Sequence, residues 1–181
     1  MELKVSINPI DGAGPARGLL SNLFYAAGYN FYQRASRLPV DDLLIRRKLA
    51  ELLEESRVHL SALEAAFRVR MRGFAGPPTA ATSLALEGAQ RDLETMHAAV
   101  GNAALGEPEH FPPHWREGAA MLQRLVALDG EALLALVTLR DAIMKFDDGA
   151  AAAAGTPNLL RACGFNTLWS RREALLSADS A

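Results

Sequence analysis

DDLLIRRKLAELLEESRVHLSALEAAFRVRMR, residues 41–72, decides the fold. Leu49, Leu53, Ser56, Leu60, Leu63 and Phe67 recur at alternating steps of four and three, with Ile45, Leu52 and Ala66 on one flank. That spacing places the apolar side chains on one face of an α-helix. Asp41 and Asp42 stand at its front and Arg68, Arg70 and Arg72 at its back, the order that complements the helix macrodipole. Pro39 precedes the stretch and Gly73 follows it, so both ends carry stop signals. Side-chain pairs such as Glu64 with Arg68 add only about 0.2–0.5 kcal/mol each, so packing of the seam must hold the helix in place. At 1.5 Å per residue the rod runs roughly 48 Å, which calls for long partners.

The rest of the chain supplies them. Alanine and leucine far outnumber valine and isoleucine among the 181 residues, and 50% of the chain is hydrophobic. Helix is therefore favoured over sheet, with enough apolar surface for one buried core. The expected fold is all-α, a single-domain bundle of four main helices with two short C-terminal helices. Leu3, Val5 and Ile7 alternate ahead of Asn8-Pro9, either a tail or a lone strand edge within residues 1–15. Gly12-x-Gly14 lacks the strand-and-helix setting that a phosphate loop needs. A first helix is expected from Ala16 to Arg37, and a third, after the break at Gly76-Pro77-Pro78 and capped by Thr79, Thr82 or Ser83, reaching Leu105. The third carries Leu86, Ala89, Leu93, Met96, Val100 and Ala103 at a seven-residue repeat. A fourth covers Trp115 to Phe146 and either continues or restarts at Asp129-Gly130, with Ala132 to Leu139 expected as the most buried run. Residues 149–157 read as an Ala/Gly-rich connection whose alanines either extend a helix or form a surface loop, with Thr156-Pro157 opening a short helix over Asn158 to Cys163 and a last one over Thr167 to Leu176.

A formal charge of −2 and a pI near 6.1 give no global attraction to nucleic acid or anionic membrane. Cys163 is the sole cysteine, so no internal disulfide can form, and a cytoplasmic location is expected. Met1-Glu2-Leu3-Lys4 opens no signal peptide, and the longest uncharged run, Gly18 to Gln33, is too short and too polar to span a bilayer.

Four groups of residues could carry function. Tyr25, Tyr29 and Tyr32 fall at i, i+4 and i+7, forming a second face on the first helix. Tyrosine gives large contact area at low entropic cost, so this face suits a protein partner, although half-buried tyrosines at a core edge produce the same spacing. The loop holding Glu109, His110, His114 and Trp115 gathers acids, imidazoles and aromatics between prolines that also make a stiff elbow. Glu94 and His97 have the Glu-x-x-His spacing of di-metal bundles, and Glu55 with His59 could face them. Such centres need a second copy of the motif on a facing helix and further inward acids, and Glu94 projects away from the Leu93/Met96 seam. Arg161, Arg171 and Arg172 bracket a helix, glycine turn and helix that loosely follow a DNA-binding unit, but Leu168 and Trp169 occupy what would be its reading face. Cys163 has no nearby histidine to activate it.

The chain thus reads as a non-catalytic interaction protein, an adaptor or chaperone-like bundle binding a protein partner or its own copy through a groove or an aromatic face. No cofactor is implied. A DNA-binding regulator and a metal- or ligand-binding bundle enzyme are the alternatives.

Overall fold

The structure is a computed structural model that describes residues 18, 38–73, 76–102 and 119–177. The expected first helix, the N-terminal 1–15 segment and the proline-rich loop lie outside the described residues. What is described is almost wholly helical and contains no strand. The elements are α1 (Leu38–Arg70), α2 (Pro77–Asn102), α3 (Ala119–Ile143), α4 (Gly149–Ala162) and α5 (Phe165–Ser177). No described helix is long and apolar enough to cross a membrane.

The rod read from the sequence is present as α1, uninterrupted, starting three residues earlier and ending two earlier than expected. Pro39 lies inside its first turn, where a missing N–H costs no hydrogen bond. Leu49, Leu53, Ser56, Leu60 and Phe67 are all buried, as are Ile45 and Leu52. The seam drifts at its far end. Glu64 is buried and Ala66 is exposed, because steps of four and three from Leu60 lead to Glu64 and Phe67. Helix α2 begins on Pro77 and Pro78 rather than after them, again because first-turn prolines lose nothing. Its buried stripe is the expected Leu86, Ala89, Leu93, Met96 and Val100.

Of the two readings open at Asp129-Gly130, the helix continues: α3 runs straight through, with Asp129 fully buried and paired rather than capping a restart. The Ala/Gly-rich residues 149–157 are not a connection but the body of α4. Asp148 is its N-cap, accepting from the Ala150 and Ala151 amides at 3.1 Å each. With that cap in place, five alanines propagate a helix readily, and Pro157 sits inside it. Gly164, at φ +65°, then supplies the left-handed residue that ends α4 and lets α5 begin.

The chain divides into two compact units. Among described residues, the first holds α1 up to Arg46, α3 up to Leu134, and α5 from Thr167 onward. The second holds the rest of α1, all of α2, the rest of α3, α4 and the start of α5. In the second unit α2 packs on α4. A Cβ on Gly149 would come within 2.8 Å of Phe67 Cβ and 3.1 Å of the Leu63 carbonyl, so α4 starts in direct contact with the α1 backbone. Ion pairs surround this core. Arg68 reaches Glu64 and Glu87 at 2.5 Å each, Gln90 donates to Glu64 at 2.7 Å, and Arg140 meets Glu55 at 3.1 Å.

Candidate functional site: an open groove beside a buried charge network

In the first unit α3 and α5 enclose an open groove of about 590 Å³. Its walls are Arg124, Ala127, Leu128 and Glu131 from α3 and Arg171, Ala174 and Leu175 from α5. The spacing is i, i+3, i+4 and i+7 on α3 and i, i+3 and i+4 on α5, in each case that of a single helical face. Its surface is predominantly apolar, with the charged groups exposed. Among the described residues neither Arg124 nor Arg171 has an ion-pair or hydrogen-bond partner. Each is a hydrated cation beside apolar surface, able to meet a carboxylate without first giving up another.

One residue further along each of the same helices, the chain is buried instead. Leu128 is followed by Asp129 and Arg171 by Arg172, each turned about 100° around its helix axis. Asp129 and Arg172 are fully excluded from solvent, and Asp42 and Arg46 on α1 are 6% and 5% exposed. Arg172 donates from Nε to Asp129 Oδ1 at 2.5 Å, and from Nη2 to Asp42 Oδ1. The other oxygen of Asp42 accepts from Arg46 Nε at 2.6 Å, while Glu173 lies 3.3 Å from Arg172 Nη1 and 3.4 Å from Arg46 Nη2. Both guanidiniums lie over the Trp169 ring, 5.2 Å for Arg46 and 4.8 Å for Arg172 from its centroid. Removing each ion from water costs several kcal/mol, which only a multiply paired arrangement like this one offsets. The network therefore sets the position and rotation of α5, and with them the place of Arg171 on the groove wall.

The residues singled out from the sequence are distributed differently. Arg172 is an internal residue, closed off from any duplex by the carboxylates around it. Arg161, in the second unit, turns back on its own helix to the Pro157 carbonyl at 3.3 Å and Asn158 Oδ1 at 2.7 Å. Of the three arginines only Arg171 faces outward without a partner among the described residues. Glu55 is engaged by Arg140, His59 Nε2 lies 2.9 Å from the Phe146 carbonyl oxygen, and Glu94 is 3.7 Å from Arg57. His97 is exposed, and its charge helps hold the Glu54 carboxyl below its ordinary value, behind the larger effect of the Arg57 hydrogen bond. Among the described residues no three His, Cys, Asp or Glu side chains gather closely enough for a metal ion. Cys163 is half-buried, with its thiol 3.1 Å from the Leu160 carbonyl. Tyr25, Tyr29 and Tyr32, and Glu109, His110, His114 and Trp115, lie outside the described residues.

Sequence reading missed Arg124 and Glu131 in the groove and Asp42, Arg46, Asp129 and Glu173 in the network. A signal existed for the network. Asp42, Asp129 and Arg172 sit at core positions, three or four residues from Ile45, Leu125 and Trp169 respectively, and they carry opposite charges.

Compared with known proteins, the chain matches no family, no curated protein and no solved structure.

Proposed function

We propose that this protein is a non-catalytic helical interaction module whose docking surface is the groove between α3 and α5. The observation that carries this reading is the pair of arginines, Arg124 and Arg171, that lack partners among the described residues and line the groove with the apolar floor of Ala127, Leu128 and Leu175. Apolar floors of this kind accept the greasy face of an amphipathic helix, and charges at the rim fix which helix and in which direction. Glu131 sits seven residues after Arg124 on the same wall, so the groove is polarised. The fitting occupant is a partner helix with an acid against Arg124 and a base against Glu131 at the other end of the α3 wall. Cation-only chemistry, as in a phosphate or duplex site, would not place a carboxylate there.

The test uses a synthetic probe, a helical peptide of about two heptads with leucines on one face and a glutamate and lysine seven residues apart. Titrated into the isotopically labelled protein, it should shift the amide resonances of Ala127, Leu128, Ala174 and Leu175. The Arg124→Glu/Arg171→Glu double variant should lose those shifts, and a peptide with the two charges exchanged should bind in the opposite direction or not at all. Shifts absent from the groove, or unchanged by the double variant, would remove this reading.

A further inference from the structure

The groove wall on α3 is complementary to itself. Read forward, its face runs Arg124, Ala127, Leu128, Glu131, and read backward it runs Glu131, Leu128, Ala127, Arg124. Turning one copy end over end about an axis between Ala127 and Leu128 therefore sets each arginine opposite a glutamate, and alanine against leucine at the centre. A two-fold dimer requires this property, since one patch must be its own partner. The two charges are separated by about 10.5 Å along the helix axis at 1.5 Å per residue, close to two turns, so both lie on the same face as the apolar pair.

We infer that the occupant of the groove is a second copy of this chain, docked with its α3 antiparallel to the first across that axis. This rests on the interaction-module reading above and names its partner. A uniformly acidic partner would satisfy Arg124 and Arg171 but be repelled by Glu131. A uniformly basic one would meet the converse. The chain's own α3 carries the required acid and base at the required separation and in the required direction. Arg171, Ala174 and Leu175 on α5 form the second wall, and Ala174 is small enough to leave room for an approaching helix.

The experiment is light scattering or sedimentation of the full chain over a concentration series, with charge-reversal variants. Arg124→Glu faces glutamate with glutamate, and Glu131→Arg faces arginine with arginine. Each should weaken the dimer about tenfold or more, since like charges in an interface cost at least about one factor of ten in affinity. An equimolar mixture of the two variants should recover the dimer as a heterodimer, and the Arg124→Glu/Glu131→Arg double variant should recover it alone. Both side chains are exposed, so the melting temperature of each monomer serves as the control for intact folding. A wild-type chain that stays monomeric throughout, or a dimer indifferent to both single reversals, overturns the inference. If the wild type is monomeric but the synthetic peptide still shifts the groove resonances, only the identity of the partner falls. If both fail, the docking groove itself falls.

Discussion

Arg172 and Asp129 meet in the interior of the first unit, guanidinium Nε to carboxylate Oδ1 at 2.5 Å, with no solvent exposure on either residue. They join α5 to α3, and the second bond from Arg172 to Asp42 joins both to α1. A buried ion pair of this kind is weak evidence of net stabilisation, because desolvation of the charges consumes much of their attraction. It is strong evidence of a specified arrangement, since any other placement of α5 would leave Arg172 unpaired in an apolar setting.

Breaking the network from one side should be severe. Arg172→Met leaves Asp129 and Asp42 buried with a partner missing, and a loss of about 3–5 kcal/mol is expected for a half-removed buried pair. Asp129→Leu should cost a similar amount from the other direction. Combining Arg172→Met with Asp129→Leu should recover part of that loss, because apolar replacements of similar volume avoid the desolvation cost, while Asp42 keeps Arg46 as its partner. Urea denaturation of the parent and these three variants measures this, and strictly additive losses would argue against the coupling.

How much of this was legible follows from where each signal acts. The seam of α1 could be read directly, because Leu49, Leu53 and Leu60 report a period within one helix. The network could not be read in the same way, since Asp42 and Arg172 are 130 residues apart and only folding makes them neighbours. Asp42 also has a sufficient local explanation as a dipole-complementing residue at a helix start, which hides its role. The start of α4 is hidden for a similar reason: in sequence Asp148 reads as loop punctuation, whereas in the fold its side chain caps two alanine amides. The groove arginines fell on a helix face that periodicity marks only as solvent-facing, and concavity is not written in any one helix.

Two glycines of α4 differ in how far they tolerate a substitution, although alanine in a helix interior normally gains about 1 kcal/mol over glycine. At Gly149 the new Cβ would strike Phe67 Cβ at 2.8 Å and the Leu63 carbonyl at 3.1 Å, atoms that cannot swing aside. At Gly155 it would meet the Phe146 ring, with Cζ at 2.5 Å, the far end of a side chain that is only half-buried. Gly149→Ala should therefore cost about 1–3 kcal/mol as an overpacked contact. Gly155→Ala should cost less, and Phe146→Leu in the same chain should relieve it. Equal losses at the two positions by thermal denaturation would show that the ring is held as firmly as the backbone.

Thr156 offers a substitution that should stabilise. Its side chain is fully buried, and Oγ1 has no hydrogen-bond partner among the described residues. An unsatisfied buried hydroxyl carries a desolvation penalty of about 1–3 kcal/mol that valine, of nearly the same shape, does not. Thr156→Val is expected to raise the melting temperature, while Thr156→Ala should lower it by leaving a cavity. A valine variant less stable than the parent would mean that the hydroxyl is satisfied in solution.

Asp148 gives a pH dependence with a definite sign. Its carboxyl is held below the ordinary aspartate value chiefly by the Arg70 hydrogen bond, and further by the Ala151 and Ala150 amides it caps. A lowered folded-state pKa means that the carboxylate form is favoured by folding. Its contribution is therefore complete above the ordinary aspartate range and disappears as pH falls through the lowered value. Asp148→Asn keeps an N-cap acceptor but loses the charge, so it should fall between the parent and Asp148→Ala in stability at neutral pH. The gap between parent and Asp148→Asn should close on acidification and not on raising pH from 7 to 9. Melting curves across that series check it.

Arg171 and Arg172 are consecutive, yet their substitutions should be told apart by different instruments. Arg171 is exposed on the groove wall without a partner among the described residues, so Arg171→Ala should change stability by no more than about 0.5 kcal/mol, as ordinary surface changes do. Its effect should appear instead in peptide binding at the groove. Arg172→Ala should unfold the first unit's packing, and any loss of binding would follow from that. A DNA-binding helix would give the reverse pattern for Arg171, with salt-dependent duplex affinity reduced by its removal and a shallower salt slope. Fluorescence anisotropy of a labelled duplex at two salt concentrations separates these cases. An Arg171-dependent, salt-sensitive signal would reassign this arginine from a partner helix to phosphate.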